Sequence, residues 1–284
     1  MLIYCHTFAG NRTEGKELVP YFLNTMSVLL FDFVGCGNST GEFVTLGLNE
    51  AIDLKAIIQH LKTQFKIESI YLWGRSMGSS TILNYLFNIR LSTLLYKENY
   101  KVKRDLQLQL NEDPFKEDEL VPQINRLTKN NRELKQAIKQ KHMIHAVVID
   151  SSFTCAKKMV KDVMRKRMKT SKFITSVASM YLKNSIKNHT KVDVLGKNKP
   201  SSLVRYLTVP AVFMVGDQDD LVDLKEFKQM FDDYNAEDKK FRILQNTSHS
   251  DGRKEEDIEF VINFIKFIEE KNRPTEKSIF QFKD

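Results

Sequence analysis

Apolar residues along the chain fall into two alternating patterns. Short, continuous runs rich in β-branched and aromatic residues occur at 2–6 (LIYCH), 27–33 (SVLLFDF), 69–73 (SIYLW), 145–150 (HAVVID), 211–215 (AVFMV) and 241–245 (FRILQ). Runs of this length and composition read as strands buried on both faces. Between them the period changes. Ala51, Leu54, Ile58, Leu61 and Phe65 alternate steps of three and four, as do Ile258, Val261, Ile262, Ile265 and Ile268 with one adjacent pair, which paints one face of a helix. Strand alternating with helix predicts right-handed crossovers and a mainly parallel sheet with helices on both faces, an α/β fold. Chemistry in such sheets is sought just beyond the C-terminal ends of the strands.

Two segments interrupt the alternation. Residues 88–143 are charged, poor in glycine and far too long for an ordinary connection, so they read as an insertion, helical near 125–141. Residues 155–208 lie between two strands and could cover the site. The main domain is therefore expected over 1–87 and 144–270, with 271–284 as a flexible tail.

One strand end carries the sequence Trp73-Gly74-Arg75-Ser76-Met77-Gly78, at the junction of a strand run and a helical run. A strand-to-helix turn this sharp lifts its central serine above the sheet and leaves no room for side chains two positions to either side, which is what Gly74 and Gly78 supply. It also sets the Met77 amide at the positive end of the following helix, where an oxyanion would be stabilised. A serine hydroxyl is a weak nucleophile and needs a base oriented by an acid. After 211–215 comes an acidic turn in which Asp219 is preferred, then Asp220, then Asp217; after 241–245 comes His249. The catalytic candidates are Ser76, Asp219 and His249. The second oxyanion donor is expected from the loop after the first strand, at the Phe8 amide, with Thr7 or Ala9 as substitutes; His6 reads as a residue that orders that loop.

Charge and cysteines refine this picture modestly. The net charge is +8 over 284 residues. Cys5, Cys36 and Cys155 are widely spaced, without a C-x-x-C pair, which suits a reducing, cytosolic compartment and neither zinc nor thiol redox chemistry. Residues 157–169 form a basic run in which Met159, Val160, Val163, Met164 and Met168 make an apolar stripe. Such a helix either contacts an anionic membrane peripherally or guides an acyl substrate, or it turns its methionines to a core. Basic residues without aromatic interleaving give no reason to expect nucleic acid. The glycines at 35, 37 and 41 lack the spacing of a dinucleotide loop and read as a structural turn.

Taken together, YCHTFAGNR, FDFVGCGNSTGE, GRSMGS, VVIDSSF, VPAVFMVGDQDDLV and SHSD resemble, in order, the successive motifs of the α/β-hydrolase superfamily, over about 1–86 and 145–270. The resemblance is strongest to its serine-aminopeptidase-like branch, with the monoacylglycerol-lipase-like and protein-depalmitoylase-like members. It implies an α/β-hydrolase fold, a serine hydrolase working on an ester or thioester, or on an amide or peptide, through an acyl-enzyme, and neither cofactor nor metal. The partner implied is a small-molecule acyl substrate. A catalytically silent protein used for binding or scaffolding is the alternative. Two departures stand out: Thr7 replaces the family's glycine after the histidine, and the chain begins at a strand that the family usually precedes with two or more others. Truncation is the expectation drawn from the second, and 27–33 should then be an exposed apolar sheet edge.

Overall fold

The computed structural model describes residues 1–112, 116–169 and 171–273. Six parallel strands, β1 (Leu2–Cys5), β2 (Val28–Leu30), β3 (Ile70–Arg75), β4 (Ile144–Asp150), β5 (Ala211–Gly216) and β6 (Lys239–Leu244), form one sheet in the order β2-β1-β3-β4-β5-β6. Each of the six apolar runs is a strand. The helices are α1 (Val19–Phe22), α2 (Glu50–Gln64), α3 (Met77–Glu112), α4 (Glu117–Lys141), α5 (Ala156–Met168), α6 (Lys172–Thr190), α7 (Val194–Lys197), α8 (Leu224–Asp233) and α9 (Glu255–Lys271). The helix expected near the C-terminus thus runs to Lys271, the first residue of the expected tail; 274–284 lie outside the described residues.

The sheet is buried on both faces, and successive strand residues serve opposite sides. Ile3, Cys5, Leu72 and Phe213 pack with Leu54 and Ile58 of α2, Ile82 of α3 and Phe227 of α8. Leu2, Tyr4, Trp73 and Met214 pack with Phe22 of α1 and Ile258, Val261 and Ile265 of α9. A third, smaller cluster joins Phe153 and Ala156 to Met159, Val160, Leu182, Ile186, Val194 and Leu195, tying α5, α6 and α7 together.

Among the described residues β2 pairs with β1 alone and forms one edge. An apolar groove of about 580 Å³ runs beside it, between Leu29 and Phe31 and the α2 residues Ile57, His60 and Leu61. The edge is apolar, as its sequence suggests.

The largest difference from the sequence reading lies in 88–143. Instead of a helix near 125–141 alone, α3 continues from the turn after Ser76 for 36 residues, and α4 returns antiparallel along it. No glycine or proline occurs between Ser79 and Glu112 to stop α3. At 1.5 Å per residue it is about 54 Å long, so its far half projects well beyond the sheet. Near the root, the Tyr85 hydroxyl donates to Gln140 Oε1 at 3.3 Å.

Candidate active site

The site forms where β1, β3, β5 and β6 end. Gly74 is the penultimate residue of β3, against the start of α3: a Cβ on it would sit 2.4 Å from the carbonyl carbon and oxygen of Gly78, and one on Gly78 would sit 1.9 Å from the Cys5 carbonyl oxygen. These two glycines let the strand, the turn and the helix close on one another. Ser76 pays with backbone strain, at φ 52° in the left-handed region. Ser79 then pins the helix start, its hydroxyl donating to the carbonyls of Gly74 at 2.5 Å and Asp150 at 2.9 Å.

The structure brings Ser76, His249 and Asp219 together. Ser76 Oγ lies 3.1 Å from His249 Nε2, and His249 Nδ1 lies 2.8 Å from Asp219 Oδ2. Asp219 Oδ1 accepts from the amides of Leu221 and Val222 at 2.9 and 2.8 Å, so the carboxyl acts as an acceptor on both oxygens. Nδ1 therefore carries the imidazole proton, and the Nε2 lone pair faces the serine hydroxyl. That arrangement can withdraw the hydroxyl proton as Oγ forms a bond. All three side chains are buried.

The neighbouring acids do other work. Asp217 Oδ1 accepts from the Thr247 amide at 3.2 Å, and hydrogen bonds from the amides of Asn246 and Thr247 hold its carboxyl below the usual range. The Asp220 carbonyl receives Lys166 Nζ at 2.8 Å. Of the three candidates in the acidic turn, Asp219 is the one in contact with His249.

The loop after β1 is organised by two side chains. His6 is fully buried; its Nε2 accepts from the Phe33 amide at 3.2 Å, which leaves Nδ1 to donate to the Thr7 carbonyl at 2.8 Å. This is the loop-ordering arrangement expected of it. Glu14 takes the Thr7 amide at 3.2 Å and the Thr7 hydroxyl at 2.8 Å, and receives the Tyr4 hydroxyl at 2.7 Å. The Thr7 amide is thus committed to Glu14, which removes one of the substitute oxyanion donors. Thr7, Phe8 and Met77 line the same cavity as Ser76 and His249.

That cavity has a volume of about 930 Å³ and mostly apolar walls. Phe43, Val44 and Leu46 form one part of them, and Met159, Val160, Val163 and Met164 of α5 another. The methionine stripe of 157–169 therefore faces the cavity, as far as its side chains are described. Ser185, Ile186, His189 and Thr190 bring the last turns of α6 to the same wall. Among the described residues, no group of three or more His, Cys, Asp or Glu side chains is arranged to hold a metal ion.

Three residues that position His249 escaped the sequence reading. Arg75 Nη2 donates to the His249 carbonyl at 2.8 Å and to the Asp251 carbonyl at 2.5 Å. Arg253 Nη1 holds the Asp251 carbonyl at 2.7 Å, while its Nε and Nη2 grip Asp150 at 2.8 and 2.7 Å. The only signals in sequence were an arginine beside the serine and an aspartate closing β4. Burial opposes ionisation of Asp150, yet the Arg253 and Arg75 charges and the hydrogen bonds outweigh it and hold the carboxyl below its usual value. The stability it contributes is therefore complete above the pH at which unfolded aspartate ionises, about 4, and is lost as pH falls through the lower folded value. Asp150→Asn leaves Arg253 buried without its counter-charge and should cost about 3–5 kcal/mol at neutral pH. Its melting temperature should also vary less with pH below about 4 than that of the wild type, as read by thermal melts across that range.

The fold has counterparts among known proteins. The family described as alpha/beta hydrolase fold matches residues 1–89. An esterase of Pyrococcus furiosus superposes with a TM-score of 0.61 at 19% identity, over 94% of this chain and 81% of the esterase. A Paleococcus ferrophilus monoacylglycerol lipase gives 0.55 at 13% identity, over 94% and 93%. This is an α/β-hydrolase fold. An esterase of Exiguobacterium antarcticum shares this α/β-hydrolase fold to a similar degree, with a TM-score of 0.55 at 13% identity over 93% of this chain and 91% of that one. Over 91 residues the chain is also 31% identical to an uncharacterized protein of Acanthamoeba polyphaga mimivirus, a match that takes in 31% of this chain and 31% of the viral one.

Proposed function

We propose that the protein is a serine hydrolase that cleaves an ester or thioester bearing an apolar acyl chain, through an acyl-enzyme. The observation that carries this reading is the Ser76–His249–Asp219 relay, with its 3.1 and 2.8 Å contacts, at the wall of an apolar cavity of about 930 Å³. Ser76 Oγ attacks the carbonyl carbon as its proton passes to His249 Nε2. The oxyanion is held by the amides of Met77 and Phe8, the first at the N-terminus of α3, and Asp219 steadies the imidazolium. His249 then returns the proton to the departing alcohol or thiol. Water, activated by the same nitrogen, takes the acyl group off Ser76 and restores the serine. The apolar walls suit an uncharged acyl chain; an amide or peptide remains the second acyl donor within this reading. The branch is that of the serine-aminopeptidase-like and monoacylglycerol-lipase-like hydrolases, and the setting is the cytosol, which cell fractionation would test.

The chemistry is tested by incubating the protein with a fluorophosphonate probe and mapping the adduct by mass spectrometry. A single adduct on Ser76, with labelling suppressed by a long-chain ester, is the expected result. Folded protein that takes no label, or takes it on another serine, overturns the reading and favours a silent binding protein.

A further inference from the structure

The helix α6 is amphipathic in the wrong sense over its first half. Phe173, Ile174, Val177, Met180 and Tyr181 are between 49% and 78% exposed. At 100° per residue they share an arc of roughly 120°. The face turned inward carries Thr175 and Ser179, each 2% exposed, whose hydroxyls donate back to the carbonyls of Ser171 and Ser176 at 2.9 and 3.0 Å. Farther along, the order reverts to normal. Leu182 and Ile186 pack inward against α5 and α7, and Asn184, Lys187 and Asn188 face solvent. A helix that buries small polar residues and shows five large apolar ones to water is built for an apolar phase outside the protein.

Charge identifies that phase. Residues 156–191 contain eleven lysines and arginines against Asp162 alone, so this segment is more positive than the entire chain, whose net charge is +8. Some of these cations are engaged, Lys158 with Glu226 and Lys183 with Asp193, but the surplus is large. A second copy of this chain is disfavoured, because a two-fold contact through α6 would bring two strongly positive segments together. An anionic bilayer satisfies both features at once, taking the apolar arc into its surface and the cations against its headgroups.

We infer that the exposed face of α6 docks on an anionic lipid surface. The docking does not depend on the chemistry at Ser76. Resting on the proposed hydrolase reading, it also deepens it: the last turns of α6 line the acyl cavity, so docking would bring that cavity to a membrane-resident acyl substrate.

The test is sedimentation of the purified protein with vesicles of phosphatidylcholine, alone and with about one third phosphatidylserine. The wild type should bind the anionic vesicles at least about tenfold more tightly than the neutral ones, and lose binding as salt rises. Phe173→Glu with Tyr181→Glu should reduce binding to the anionic vesicles at least about tenfold while leaving hydrolysis of a soluble short-chain ester unchanged. Phe173→Ala with Met180→Ala, which adds no charge, should weaken binding in the same direction. Ser76→Ala should bind as the wild type does, which separates docking from catalysis: vesicle binding without ester hydrolysis overturns the hydrolase reading and leaves this one standing. Equal binding to neutral and anionic vesicles, or α6 variants that bind like the wild type, overturns the inference. So does a concentration-dependent dimer that the α6 substitutions abolish.

Discussion

Ser76→Ala and His249→Ala should each lower ester hydrolysis by roughly 10⁴- to 10⁶-fold, and the double variant should be little worse than either alone. The reason for non-additivity is geometric. Ser76 Oγ and His249 Nε2 share one proton at 3.1 Å, so removing either partner removes the same event. Asp219→Asn should cost about 10⁴-fold in kcat, because an amide at that position can favour the tautomer that points a proton at Ser76. Asp220→Asn, one residue on, should stay within about threefold of the wild type, since it does not replace the group 2.8 Å from Nδ1. Steady-state rates on a chromogenic ester, with circular dichroism as a check on folded protein, read all five. An Asp220 variant as damaged as the Asp219 variant would sink the assignment.

A second large effect is expected at Gly78. Alanine there gains helix propensity of about 1 kcal/mol. Against this, the new Cβ would lie 1.9 Å from the Cys5 carbonyl oxygen and 2.5 Å from its carbon, both backbone atoms at the end of β1, a strand paired on both sides. Neither can move without shifting β1 or the start of α3, so the clash dominates. Gly78→Ala should destabilise by about 3 kcal/mol or more, a drop in Tm of roughly 6–12 °C, or fail to accumulate as folded protein. Gly252→Ala is the control: the nearest atom to its Cβ is the carboxylate tip of Glu17 at 2.9 Å, which can swing aside. Thermal melts that rank the two glycines the other way would show that the tight turn is not under this constraint.

How much of this was legible in the sequence depended on the range of the interaction. The strands announced themselves because a strand covered on both faces must be apolar throughout, and Leu2–Cys5 or Ala211–Gly216 are buried from end to end. Gly74 and Gly78 were legible because close backbone approach leaves few alternatives to glycine. What escaped were contacts between residues far apart in the chain whose types are common. Arg75 meeting the carbonyls of His249 and Asp251, or Arg253 meeting Asp150, leaves no local pattern. The direction of an amphipathic stripe was equally ambiguous. Of the directions open to the methionines of α5, they take the one toward the cavity, while the outward stripe on α6 is hidden in sequence by the serines and threonines between its apolar residues. In the segment 88–143 the helix expected near 125–141 lies within α4, whereas the outer part of α3 is not legible for a related reason: a helix with cations and apolar residues on several sides gives little period to read.

That long helix has a consequence for timescales. Its first turns are sealed in the core, with Met77, Ile82 and Leu83 fully buried, whereas Leu94, Val102 and Leu108 are 44–50% exposed. Helices open most readily from weakly held ends. Backbone amides along α3 should therefore exchange with solvent on a gradient, faster in its outer half and slow near Ser76, as hydrogen-exchange mass spectrometry would read. One continuous helix thus gives the molecule an outer arm that can unwind and re-form many times while the turn that presents the serine stays shut.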